Sequence, residues 1–148
     1  MVSLREKVDV ELENVHTVLV ELEKIKDEPS KTIVELAGIG TFLHNFYTGI
    51  ENILKQILRD EDIPIPFSDS WHRDLLILAS KEKIITETTR VRLTKYLAFR
   101  HFFVHAYSFL LDERELKLLV DDVFDTYSTF KEEINAFISD KNTEEYLS

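Results

Sequence analysis

The sequence has no cysteine, and only 3 glycines and 3 prolines in 148 residues. Without cysteine there can be no disulfide, thiolate nucleophile or cysteine-ligated metal, and the composition suits a reducing compartment. So few glycines and prolines supply too little turn chemistry for a sandwich or barrel of many short strands. No apolar run reaches the roughly 20 residues that a membrane helix requires. We therefore expect a cytoplasmic, all-α protein with no membrane contact.

The residues that are present fit one compact domain over 1–148, with 44% hydrophobic and 31% charged side chains. The net charge of −10 argues against a protein that coats nucleic acid by bulk attraction. That charge is uneven, since residues 1–71 carry −7, residues 72–110 carry +4 and residues 111–148 carry −7. Any anion-binding surface should therefore involve the middle segment.

Hydrophobic periodicity predicts a first helix over about 3–27, ended by Pro29, and a second over about 31–58. The second helix is apolar around most of its circumference, so it should be buried on several sides. Glycine disfavours a helix by about 1 kcal/mol relative to alanine, so glycines here indicate close approach of another element. The three positions are Gly38, Gly40 and Gly49.

The second half of the chain begins after a loop over 62–70 that holds two prolines. Ser70 can cap a short helix that ends near residue 80, and a fourth helix should run from 86 or 88 to about 111. Asp112 followed by Glu115 resembles a capping box for a fifth helix, whose polar tail should fray from about 139. Four long helices and a short one predict an antiparallel four- or five-helix bundle.

Reactive side chains concentrate in the predicted fourth helix, within the positively charged segment. Arg100, His101, His105 and Tyr107 fall within eight residues, among aromatic neighbours. Metal-free RNA cleavage needs a group that titrates near neutrality to move protons, and a permanent cation to stabilise the doubly charged phosphorane. Histidine and arginine supply these two functions.

Arg100-x4-His105, with the polar His101 directly after the arginine, resembles the motif of HEPN ribonucleases, and the extension His105-x-Tyr107 resembles the Arg-x4-His-x-Tyr signature of HepT toxins. In this composition the full signature is expected by chance only about 0.01 times. The segment 40–57 also resembles the second helix of HepT-like chains.

The resemblance implies a two-fold homodimer whose motif helices line a shared cleft, with metal-independent cleavage of RNA, tRNA in the better-known examples. It makes Arg100, His105 and His101 the catalytic candidates. It further implies an MntA-like minimal nucleotidyltransferase as antitoxin, which moves AMP from ATP onto Tyr107, while the chain itself needs no cofactor or metal. A non-catalytic HEPN subunit that binds the nucleotidyltransferase and its nucleotide is the alternative, and a plain scaffolding bundle is a second one.

Helix geometry complicates the catalytic assignment. At 100° per residue, His105 lies about 140° around the helix from Arg100, whereas Tyr107 lies only about 20° from it. Three explanations stay open at this point: the helix distorts, the long arginine reaches sideways, or one site takes Arg100 from one subunit and His105 from the other.

Each of the other polar groups has two possible interpretations, a functional role or an ordinary position at the surface. Glu51 and Asn52 lie on a polar stripe of the second helix, which either faces solvent or holds Arg100 or a histidine in place. A basic group either steers RNA to the cleft or forms an ordinary solvated helix face; its members are Arg90, Arg92 and Lys95, with Lys81 and Lys83 before them. His16 and His72 are expected at the surface.

Overall fold

A computed structural model of the chain describes residues 2–29, 31–105 and 111–147, without the side chains of 144–146. The described residues form five helices and no strand, which confirms the all-α prediction. The helices are α1 (Leu4–Ile25), α2 (Ile33–Asp60), α3 (Trp71–Lys81), α4 (Glu87–His105) and α5 (Glu113–Leu147).

The long helices alternate in direction, as contacts at their two ends show. Arg5 of α1 bonds Asn135 of α5, while the Leu12 carbonyl accepts from Tyr127, so α1 and α5 are antiparallel. In the same way α4 runs opposite to α5, because Thr89 bonds Glu133 and Tyr96 bonds Asp122. This is the antiparallel bundle that the sequence predicts.

Helix α2 is the centre of the bundle and packs against the other four helices, which confirms that it is buried on several sides. Its Phe46 lies between two tyrosines, with ring centroids 5.2 Å from Tyr96 of α4 and 6.4 Å from Tyr127 of α5. Aromatic groups of this size contribute much of the buried apolar area of a small core.

Two of the three glycines of α2 mark close helix contacts. A Cβ atom on Gly49 would lie 2.4 Å from Cγ2 of Val15 in α1, and one on Gly40 would lie 2.5 Å from Cε1 of Phe103 in α4. No atom lies within 4 Å of such a Cβ on Gly38, so close approach does not explain that glycine. Gly40 therefore lets the C-terminal part of α4 lie directly on α2.

One local prediction needs correction. Ser70 occupies the N-cap position of α3 without making a side-chain capping bond, because its backbone angles of φ −100° and ψ 24° differ from the extended conformation of an N-cap residue. Its hydroxyl donates to Asp74 Oδ2 at 3.0 Å. Helix α5 extends beyond Ser139 to Leu147, and Lys141 pairs there with Asp60 and Glu61. That this tail frays from about 139 stays a prediction. Asp112 does cap α5, since its Oδ1 accepts from the Arg114 and Glu115 backbone.

Helix α4 is fastened to α5 by two acidic residues. Glu133 accepts from the Thr86 backbone N–H at 2.6 Å and from the Thr89 hydroxyl at 2.5 Å, which secures the start of α4. Two turns further along α4, the Tyr96 hydroxyl donates to Asp122 of α5 at 2.6 Å, and Lys95 pairs with the same carboxylate at 2.8 Å. Partial burial works to raise the pKa of Asp122, but hydrogen bonds from Lys95, Tyr96 and Thr126 outweigh it and hold the pKa at about 2.

We expect Asp122→Asn to lower the free energy of unfolding at pH 7 by about 1 kcal/mol, since the group is partly solvated and its charge interactions are screened. Because its folded-state pKa lies below the ordinary value of 3.8, this contribution is present above about pH 4 and is lost as the pH falls toward 2. Urea unfolding of the wild type and of Asp122→Asn, at pH 7 and at about pH 2, measures this contribution. The neighbouring Asp121, in an exposed pair with Lys117, is the control, and an equal effect of Asp121→Asn would contradict the assignment.

Gly49→Ala should destabilise the fold by roughly 1–3 kcal/mol, because the added methyl group overlaps Val15 and forces α1 away from α2. Gly38→Ala is the matched control in the same helix. No atom lies within 4 Å of the added methyl group, so Gly38→Ala should raise the free energy of unfolding by up to about 1 kcal/mol through helix propensity. Thermal and urea unfolding measure both, and changes of the same sign would show that propensity, not contact, decides at Gly49.

Candidate functional site

Helix α4 turns Arg100 toward α2. The side chain is half-buried, and its Nε is shut off from solvent without a hydrogen-bond partner in the described part of the chain. Burial raises the pKa of the Tyr47 hydroxyl well above its ordinary value, the negative charge of Glu51 raises it further, and the positive charge of Arg100 lowers it. Phe103, three positions after Arg100 on α4, contacts α2 at Gly40, so Arg100 lies on the side of α4 that faces α2.

Glu51 is a buried carboxylate, with 3% of the residue exposed. Its Oε2 lies 2.6 Å from Nδ1 of His72, the second residue of α3. The His72 ring stacks on Trp71 at a centroid distance of 3.6 Å, and Lys55 Nζ lies 4.2 Å from the centroid of the Trp71 ring. The expectation that His72 is a surface residue is therefore wrong, since three-quarters of its side chain is covered and it holds Glu51.

The two histidines of the motif lie on a different side of α4. His101 and His105 are both exposed, and their ring centroids are 4.7 Å apart, as expected for residues four positions apart on one helix face. The helix therefore brings His101 and His105 together. It keeps Arg100 and His105 on different sides of α4, as the 100° rotation per residue requires.

Tyr107 lies outside the described residues, as does the predicted continuation of the fourth helix from 106 to 110. The described part of α4 ends at His105, whose ring lies next to that of His101. The assignment of Tyr107 as the modified residue therefore stays a prediction.

Of the two supporting candidates on α2, Glu51 is the buried one, and its carboxylate is bound to His72. Asn52 is partly exposed, and no side-chain hydrogen bond is made by it within the described ranges. The difference follows from helix geometry, because consecutive residues point 100° apart and only one of the two can face the interior.

The three RNA-binding candidates are all paired with acidic groups. Arg90 pairs with Glu87 one turn earlier in α4, and both Arg92 and Lys95 pair with Asp122 of α5, at 3.5 and 2.8 Å. Much of the positive charge that the sequence places in the middle segment is therefore offset locally. All three lie on the N-terminal side of Arg100, and Arg92 and Lys95 are directed at α5 instead of at the histidine pair.

Metal binding and membrane insertion are two further properties that the described helices can be tested for. Within the ranges that the structure describes, no group of three or more His, Cys, Asp and Glu residues is placed to hold a metal ion. No described helix is long and apolar enough to span a membrane.

A family model described as HepT-like protein matches residues 38–141, which include nearly all of α2 and the whole of α4. This chain belongs to the HepT-like family. The match runs from the first glycine of α2 through Arg100 and His105, so it contains the whole candidate site.

The HepT-like fold is also found in a solved structure. One chain of an entity described as "Crystal structure of the toxin-antitoxin with AMP-PNP" superposes with a TM-score of 0.78 over 88% of this chain and 98% of its own length. The two sequences are 16% identical, so the likeness establishes the fold alone. No curated protein matches the sequence.

Proposed function

We propose that this HepT-like chain is the toxin of a toxin–antitoxin pair and cleaves RNA without a metal ion. The observation that carries the proposal is the motif Arg100-x4-His105-x-Tyr107 at the C-terminal end of α4 in a chain of this family. The structure supports it by leaving His101 and His105 open to solvent at that end of the molecule.

The proposed chemistry uses Arg100 and His105 in different steps. The Arg100 guanidinium binds the non-bridging oxygens of the scissile phosphate and stabilises the phosphorane. His105 takes the proton of the ribose 2′-hydroxyl as its oxygen attacks phosphorus, and the bond to the 5′-oxygen breaks as that oxygen takes this proton from the His105 imidazolium. His101, with its ring centroid 4.7 Å from that of His105, is the second candidate for proton transfer. The products are a 2′,3′-cyclic phosphate and a 5′-hydroxyl, as tRNA cleavage of this type requires.

The site is proposed to be shared between two copies of the chain, because one copy holds Arg100 and His105 on different sides of α4. Large apolar side chains are exposed near this end, with Phe102 at 42% and Val104 at 49%. A two-fold related copy that covers them can bring its own His105 to the Arg100 of the first copy.

An MntA-like minimal nucleotidyltransferase is proposed as the antitoxin, transferring AMP from ATP to Tyr107. The structural neighbour supports this, since its description names a toxin–antitoxin with AMP-PNP, an ATP analogue. AMP on Tyr107 adds a negative charge and a bulky nucleoside next to the phosphate position, so both repulsion and steric exclusion would stop RNA binding.

The inward position of Arg100 favours a second candidate function, a non-catalytic subunit that binds the nucleotidyltransferase and its nucleotide. In that case Arg100 stabilises the contact between α4 and α2, and expression of the chain without its partner does not arrest growth. The toxin hypothesis requires arrest when the chain is expressed alone and relief when the nucleotidyltransferase of the adjoining reading frame is added.

Arg100→Ala and His105→Ala should each lower RNA cleavage by about 10²- to 10⁴-fold and relieve growth arrest, because they remove the phosphate-binding cation and the proton-transfer group. Cleavage of total tRNA by protein from cell-free synthesis measures the rate. Exposed residues of the same types, Arg59 and His16, give the control variants Arg59→Ala and His16→Ala. Full activity of His105→Ala would contradict the mechanism.

Tyr107→Phe should leave RNA cleavage within about threefold of the wild type and make the toxin resistant to the antitoxin, because the hydroxyl that accepts AMP is gone. Growth on co-expression and intact-protein mass spectrometry measure the two effects. Neutralisation of Tyr107→Phe with an AMP adduct still present would place the modification on another residue.

A further inference from the structure

His101 and His105 form a pair of imidazole rings on the outer face of α4. Both residues are exposed, and their ring centroids are 4.7 Å apart with the ring planes inclined by 60° to each other. Among the histidines of the described ranges, only His72 is paired with a carboxylate. The rings of His101 and His105 are therefore accessible to a ligand from solvent.

The separation of the two rings fits a shared metal ion. Residues four positions apart lie one turn apart on the same helix face, and two histidines with this spacing can ligate one ion. With a Zn–N distance of about 2.0–2.1 Å the ion lies about 3.2 Å from each ring centroid, so N–Zn–N angles of about 90–110° place the centroids about 4.5–5.2 Å apart. The observed 4.7 Å lies within this range. Because both side chains are exposed, rotation about their own bonds is enough to direct one nitrogen of each ring to a common point.

The ligand type selects the metal. Imidazole nitrogen suits late first-row divalent ions such as Zn²⁺, whereas Mg²⁺ and Ca²⁺ prefer oxygen ligands. In the part of the chain that the structure describes, no third His, Cys, Asp or Glu completes the pair. Water then fills the other positions, so the ion is held less firmly than in a four-ligand structural site and exchanges with solution. The pair is suited to respond to the concentration of free Zn²⁺.

We propose that His101 and His105 together bind Zn²⁺ and that the bound ion inhibits RNA cleavage. The binding rests on the geometry of the pair alone. The inhibition rests on the proposed function, in which His105 accepts the proton of the ribose 2′-hydroxyl. A neutral imidazole has one nitrogen lone pair for this purpose, and a ring that ligates the ion has none left.

The first test measures metal binding without RNA. Isothermal titration calorimetry of the full chain should detect binding of Zn²⁺ and no binding of Mg²⁺. His101→Ala and His105→Ala should each weaken Zn²⁺ binding about tenfold or more, because each removes one of the two protein ligands. The exposed His16 of α1 supplies the control His16→Ala, which should bind Zn²⁺ like the wild type.

A spacing control separates a defined pair from a general affinity of histidine for Zn²⁺. Phe102→His combined with His105→Ala keeps the number of histidines, but it places the two rings 100° apart around the helix, where they cannot ligate one ion. Phe102 is 42% exposed, so the helix should accept this change, and circular dichroism checks that it does. The variant should bind Zn²⁺ as weakly as His105→Ala. Wild-type affinity in this variant, or in either alanine variant, would overturn the site.

The second test measures inhibition of tRNA cleavage. The wild-type rate should fall by half at the Zn²⁺ concentration that half-saturates the chain in calorimetry, and EDTA should restore it, because the proposed chemistry uses no metal. His101→Ala, compared with its own metal-free rate, should require about tenfold more Zn²⁺ for the same inhibition.

The two tests fail in different ways. Unchanged cleavage at saturating Zn²⁺ would overturn the inhibition. A wild-type chain that binds Zn²⁺ through both histidines but cleaves no RNA contradicts the proposed function and the inhibition that rests on it, while it supports the metal site.

Discussion

The packing of α4 against α2 and α5 determines where the side chains of Arg100, His101 and His105 lie. Gly40 lets Phe103 approach the α2 backbone, Glu133 holds the start of α4, and Asp122 holds its middle through Tyr96. With the helix fixed along its length, its rotation is fixed as well. Arg100 then has to face α2, and His101 and His105 have to face outward, because the helix repeat allows no other arrangement.

The helices and their order were predictable from the sequence because hydrophobic periodicity and capping residues are local signals. The close contacts at Gly40 and Gly49 were predictable too, since a glycine in a helix interior needs a reason that propensity does not supply. Gly38 shows the limit of this argument, because it satisfies the same sequence criterion and meets no neighbouring element. Ser70 shows another, since its backbone is not extended at the start of α3 and its side chain makes no capping bond.

The candidate site was only partly predictable because its decisive contacts join distant positions. Periodicity puts Glu51 on a polar stripe, but it cannot show that this residue is buried against His72 of another helix. It likewise marks Arg92 and Lys95 as basic without showing that Asp122, about 30 positions later, pairs with both. Both interactions arise from packing between helices, and a sequence pattern within one helix carries no information on such contacts.

The distribution of charge bears on how an acidic protein can bind RNA. With a net charge of −10 and its basic helix side chains paired to Glu87 and Asp122, the molecule has little long-range attraction for a polyanion. Binding must then depend on a few cations held free of acidic partners at short range. Arg100 is such a cation, since within the described residues no carboxylate lies within 4 Å of its guanidinium. It is therefore of more consequence for the proposed activity than the basic residues that pair with Glu87 and Asp122 on the helix surface.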